Sequence, residues 1–137
     1  MTDFKISQHF TYSELTTTTV KADNTPTMGS LRNLFYLAVD VLEPVRELAN
    51  APIRVNSGYR SMTVNKAVGG VSTSQHCVGE AADITLGSKA KNLELYRMIA
   101  NSSIPFDQLI AEKGGQWLHI SHCPSFMGMN RHRFWQS

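Results

Sequence analysis

The stretch "FDQLIAEKGGQWLHIS", Phe106 to Ser121, carries the reading that decides the fold. Two alternating runs flank "KGGQ", Lys113 to Gln116. The first, Asp107 to Glu112, puts Gln108, Ile110 and Glu112 on one side. The second, Trp117 to Ser121, puts Leu118 and Ile120 on one side and Trp117, His119 and Ser121 on the other. Period-two alternation is the pattern of a half-buried strand, and glycines between two such runs read as a hairpin turn. An antiparallel strand pair is predicted here.

Outward from it, "SQHCVGEAADITL" (Ser74 to Leu86) ends in a third alternating run, Ala81 to Leu86. Ala82, Ile84 and Leu86 share one side; Asp83 and Thr85 share the other. A helix is predicted between this strand and the hairpin, from the N-cap Ser88 to about Asn101, burying Leu93, Tyr96, Ile99 and Ala100. Further upstream, Leu31, Leu34, Phe35, Ala38, Val41, Leu42, Val45 and Leu48 recur at helical spacing. Pro44 should kink or divide that helix near Glu43, because it lacks the N–H for the helical ladder. "IRV" (Ile53 to Val55) is a short strand candidate. "SMTVNKAVGG" (Ser61 to Gly70) reads as a short helix stopped by two glycines. In "HFTYSEL", Thr11 and Glu14 form a capping-box pattern. Thr16 to Thr27 lacks periodicity and reads as a loop. Helices followed by a mostly antiparallel sheet with an inserted helix define an α+β class, here one domain over residues 1–137.

The totals agree. A chain of 137 residues is one domain long, and 42% hydrophobic with 18% charged residues supports a packed core. No apolar run reaches the ~20 residues of a membrane helix, so membrane insertion is not expected. "MTDFKISQHF" lacks an apolar signal-peptide core. A net charge of +2 is too small to argue for nucleic acid, and "NRHRF" (Asn130 to Phe134) reads as a solvated basic end. Cys77 and Cys123, without CxxC spacing, are expected as reduced thiols rather than structural zinc ligands.

If the apolar strand faces pack on the helices, the opposite faces look into a cleft. Asp83, Glu112 and His119 then share that side, and a turn at Gly79 can bring His76 back over them. Two histidines and a carboxylate suit zinc and leave a fourth position open. A second carboxylate nearby can take a proton from water there. Taken singly, a loop histidine is ordinarily polar surface, and a strand aspartate commonly satisfies a turn. The residues alone leave a metal site and a solvated polar face both open. His122 falls on the strand face opposite His119, and Cys77 reads as a buried small hydrophobe. Trp117 reads equally as a cleft platform or a cap on the core edge.

"SQHCVGEAADI" resembles the SxHxxGxAxD motif of the zinc D-Ala-D-Ala carboxypeptidase family, whose members cut peptidoglycan stem peptides. "VNSGYRS" (Val55 to Ser61) resembles that family's SGYRS segment, and Phe106 to Ser121 looks like its final strand pair. The N-terminal hedgehog domain shares the zinc-site pattern on a related fold. The resemblance implies a hedgehog/DD-peptidase-like fold with zinc held by His76, Asp83 and His119. It implies that Arg60 faces the scissile carbonyl oxygen and that Ser74 lies near the substrate; Tyr59 and Trp117 are further substrate-binding candidates. The general base matches Glu112, as in the QLIxE form. Some members instead carry a carboxylate three residues before the last histidine, where this chain has Gln116. The implied function is zinc-dependent hydrolysis of peptidoglycan peptides by a monomer, as carboxypeptidase or endopeptidase. The alternative is a non-catalytic zinc module used for structure or protein binding. With no export signal read, a phage-type lysin is expected, held in the host cytoplasm until holin-mediated release or carried on the virion; a bacterial housekeeping enzyme is the alternative origin.

Overall fold

A computed structural model describes residues 3–124 and 129–137. Among the described residues, five α-helices and five strands follow the α+β order. They are α1 (Tyr12–Leu15), α2 (Met28–Leu37), α3 (Glu43–Ala49), β1 (Arg54–Ser57), α4 (Met62–Ala67), β2 (Ala81–Thr85), α5 (Lys89–Ala100), β3 (Gln108–Glu112), β4 (Trp117–Ser121) and β5 (Arg133–Gln136). The sheet order is β1-β2-β4-β3-β5, antiparallel throughout except where β5 runs parallel to β3. Among the described residues, no helix is long and apolar enough to cross a membrane.

Local chemistry accounts for the helix ends. Thr11 and Glu14 close a reciprocal capping box on α1. Ser61 and Ser88 accept hydrogen bonds from the first-turn N–H groups of α4 and α5. Pro44 does divide the long apolar helix. A π-helical turn, Ala38–Leu42, links α2 to α3, and the Glu43 N–H reaches back to the Ala38 carbonyl. The ladder widens just before the residue that cannot donate to it.

The inner face of the sheet offers Ala82, Ile84, Leu109, Ala111, Leu118 and Ile120, all fully buried. Leu34, Leu37, Ala38, Val41, Leu42 and Val45 cover them from the long helix, joined by Leu95, Tyr96 and Ile99 from α5. Two faces rotate from expectation. Phe35 lies at the edge of its stripe, 38% exposed, while Leu37 is buried. On α5, Leu95 takes the central place, with Leu93 and Ala100 only partly buried against the core.

The basic end departs from its reading as solvated chain. Asn130 and His132 are half-buried, and the exposed Arg133–Gln136 pair with β3 in register Gln108↔Arg133 to Ala111↔Gln136. Backbone pairing along an open sheet edge leaves no mark in side-chain alternation, so nothing in the sequence pattern announced it.

Candidate metal centre

The outer face of the sheet is polar where the strands line up. Ser57 of β1, Asp83 of β2, His119 of β4 and Ile110 of β3 form one row of register partners. A β-bulge between Val55 and Ser57 places Ser57 opposite Asp83, the kind of irregularity that re-aims side chains beside a site. His76 comes from a 3-10 turn, Gln75–Val78, that precedes β2. Ser74 caps that turn, its Oγ accepting from the His76 N–H. Gly79 ends it at φ +76, and a Cβ there would lie 2.2 Å from the Ser30 carbonyl. Glycine is required twice over, by conformation and by close approach.

Among the described residues, one group could hold a metal ion: His76, Asp83 and His119, whose ligand atoms lie within 4.8 Å of one another. His76 Nε2 and His119 Nδ1 each stand 3.2 Å from Asp83 Oδ1. The other nitrogen of His76, Nδ1, donates to the Gly58 carbonyl at 2.7 Å. A carbonyl can only accept, so Nδ1 carries the proton and a neutral His76 aims its Nε2 lone pair at the carboxylate. Two acceptors facing each other need a proton or a cation between them. The donor set thus fits a divalent ion of zinc's type. Burial works against the charge on Asp83, but protons shared with it from His119 and His76 prevail and hold its carboxyl well below the usual carboxylate range.

These groups open into a cleft of about 450 Å³, lined also by Arg60, Ser74, Gln75, Glu112, Trp117 and Arg131. Arg60 is braced: Nε donates to Ser57 Oγ, Nη1 to Asn65 Oδ1 and Nη2 to Asp83 Oδ2. Asp83 and Glu112 are the carboxylates lining this cleft. Glu112 Oε1 accepts from Ser137 Oγ at 2.8 Å. Gln116 lies exposed in the hairpin turn and does not line the cleft. Trp117 lines it, half-buried, with Lys113 Nζ 5.6 Å from the ring centroid. A larger groove of about 710 Å³, lined in part by His9, Glu43 and Asn50, shares no residue with the cleft. No metal-type donor group lies there among the described residues.

Tyr59 corrects the sequence reading. It does not line the cleft; the residue is 6% exposed and packs within the core. Its N–H donates to the Leu15 carbonyl and its own carbonyl accepts from Asn24 Nδ2, so the chain after the bulge turns Arg60, not Tyr59, outward. Cys77 and Cys123 are free and only half-buried, so Cys77 is less enclosed than expected. His122 is buried away from the cluster, between the Pro105 carbonyl and Asp40. Gln75 and Arg131 also line the cleft, where local pattern does not place them. Gln75 had one available signal, its place beside His76; Arg131 had none.

An α+β domain with a His–Asp–His donor cluster at the floor of an open cleft is the frame of a single-metal hydrolase. The chain belongs to the peptidase M15 family, whose family model matches residues 8–121. It is also 50% identical over 42 residues to the zinc D-Ala-D-Ala carboxypeptidase of Streptomyces albus G. That match covers 31% of this chain and 16% of the Streptomyces protein.

Proposed function

We propose that this chain is a zinc-dependent peptidase that hydrolyses peptide bonds in peptidoglycan stem peptides, as a D-Ala-D-Ala carboxypeptidase or an endopeptidase. The observation that carries this reading is the His76–Asp83–His119 cluster opening into a cleft that Glu112 also lines. Family membership and the partial likeness to a zinc carboxypeptidase support it.

The three residues would hold the ion. Bound zinc supplies Lewis acidity, polarising a carbonyl and lowering the pKa of water to about 7. Glu112 takes the proton of the attacking water and delivers it to the leaving amine as the C–N bond breaks. Arg60, its plane fixed by Ser57, Asn65 and Asp83, offers its remaining N–H groups to the negative charge developing on the carbonyl oxygen. The Ser74 oxygen accepts from the His76 N–H, leaving its hydroxyl hydrogen for the substrate. Trp117 presents its ring as a platform for the peptide.

The proposal includes action as a monomer and a phage-type lytic setting. Its test is elemental analysis of the purified chain together with mass spectrometry of products from purified peptidoglycan. About one zinc per chain and a defined peptide product are expected; the product identifies the bond cut. A protein that neither holds nor gains from zinc would sink the reading. One zinc per chain without any product would favour the non-catalytic zinc module. Lysis of wall-exposed cells by added protein tests the phage-type setting.

A further inference from the structure

We propose that Arg131 is a docking residue for a carboxylate of the peptide substrate, a specificity determinant of the cleft that lies beyond the family-matched residues 8–121. The inference rests on the peptidase reading above.

Two arginines line the cleft, and their states differ. The Arg60 side chain is 16% exposed, and each of its three nitrogens already donates to a protein group. The Arg131 side chain is 50% exposed and bonded along one edge only. Its Nε and Nη2 each reach Asp107 at 2.8 Å, on Oδ1 and Oδ2 respectively. Its Nη1 has no hydrogen-bond partner among the described residues. Among the described residues, the edge formed by Nη1 and the second Nη2 hydrogen is open, with the fork geometry that matches a carboxylate.

The open edge is held in place. The Asp107 side chain is 6% exposed and also accepts from Gln75 Nε2, the residue next to His76. The Arg131 N–H donates to Asp107 Oδ1. On one side, Asn130 clamps the N–H and carbonyl of Cys123 through its side-chain amide. On the other, His132 and Arg133 bond the Phe106 and Asp107 carbonyls, leading into β5. A lone structural pair with Asp107 would need only the occupied edge. Here a buried carboxylate fixes the guanidinium plane so that a second carboxylate can dock without ordering the side chain anew.

A stem-peptide carboxylate can be terminal or on a side chain, and the assay separates them. The full zinc-loaded chain is tested on one cleavable stem peptide in three forms: all carboxylates free, terminal carboxylate amidated, and side-chain carboxylate amidated. For the parent, one amide should raise KM about tenfold or more with kcat nearly unchanged, since a hydrogen-bonded charge pair is at stake. Arg131→Gln should raise KM similarly on the free peptide and become indifferent to that amide; Arg131→Lys should recover part of the loss. Melting curves confirm that each variant folds. Binding of the same peptides to the metal-free parent and Arg131→Gln, by calorimetry, should show the same preference and the same loss. The proposal is overturned if neither amide affects the parent, or if Arg131→Gln keeps the parent's KM or its preference for acid over amide. A parent that binds the free-carboxylate peptide through Arg131 yet cleaves nothing would keep this inference and sink the peptidase reading.

Discussion

Glu112→Gln separates an enzyme from a zinc module most directly. The carboxylate lines the cleft yet stands outside the His76–Asp83–His119 group, so the substitution should leave zinc content unchanged. The amide keeps the shape of the side chain, and its oxygen can still accept from Ser137 Oγ, the hydrogen bond Glu112 makes. The stability change should therefore stay below about 1 kcal/mol. What disappears is basicity. General-base catalysis supplies about 10²–10⁴-fold in rate, or roughly 3–5 kcal/mol of barrier, and product release from peptidoglycan should fall by that factor. Gln116→Ala is the control. Its side chain is exposed in the turn, and its main-chain carbonyl, which accepts from Asn92 Nδ2, survives the substitution. Its activity should stay within about twofold of the parent's, since nothing that general-base catalysis uses is touched. The assay is initial rate and zinc content for the three proteins side by side. If Gln116→Ala abolishes hydrolysis while Glu112→Gln stays near the parent, Glu112 is not the general base and the proposed mechanism fails.

Asn92 is fully buried and ties the Leu86 N–H to the Thr85 hydroxyl and to the Gly115 and Gln116 carbonyls. Asn92→Ala should cost about 2–4 kcal/mol in urea unfolding, because several buried groups lose their partner at once; a cost under about 0.5 kcal/mol would refute this. The Arg131 hydrogen bonds, opposed by burial, hold the Asp107 carboxyl below its ordinary value of 3.8, with Glu80 as its other charged neighbour. A lowered folded pKa stabilises above the unfolded pKa and is lost as pH falls through the folded one. The stability gap between the parent and Asp107→Asn should therefore be full at neutral pH and shrink below about pH 4; a gap that widens on acidification would contradict the sign. Replacing Cys77 and Cys123 together with Ala should leave zinc content and hydrolysis largely intact, since neither thiol belongs to the donor group. Loss of bound zinc in Cys77→Ala would show the ligand set to be misassigned.

The sequence by itself determined what depends on near neighbours. Alternation marks β3 and β4, since burial of one sheet face imposes period two on the residues themselves; in β2 the residue types alternate from Ala82 to Thr85 although both faces are largely buried. Capping at Thr11, Ser61 and Ser88 and the break before Pro44 are likewise set within one helical turn. His76, Asp83, Glu112 and His119 could be gathered on one side of a sheet because side-chain direction along a strand follows from parity and a turn follows from Gly79. Tertiary structure alone decided the rest. Asn92 lies outside the buried face expected of its helix, Leu93, Tyr96, Ile99 and Ala100, yet the ends of two other segments bring four backbone and side-chain groups against it. Tyr59 and Arg60 are adjacent and both polar at the tip. Only the bulge opposite Asp83 and the bonds to Leu15 and Asn24 send one into the core and the other to the cleft. Arg131 sits in a short basic run with no periodicity, and its place beside the cleft comes from Asp107, which is distant in sequence. A contact between remote segments is chosen by the packing of everything between them, and no local pattern of residues encodes that choice.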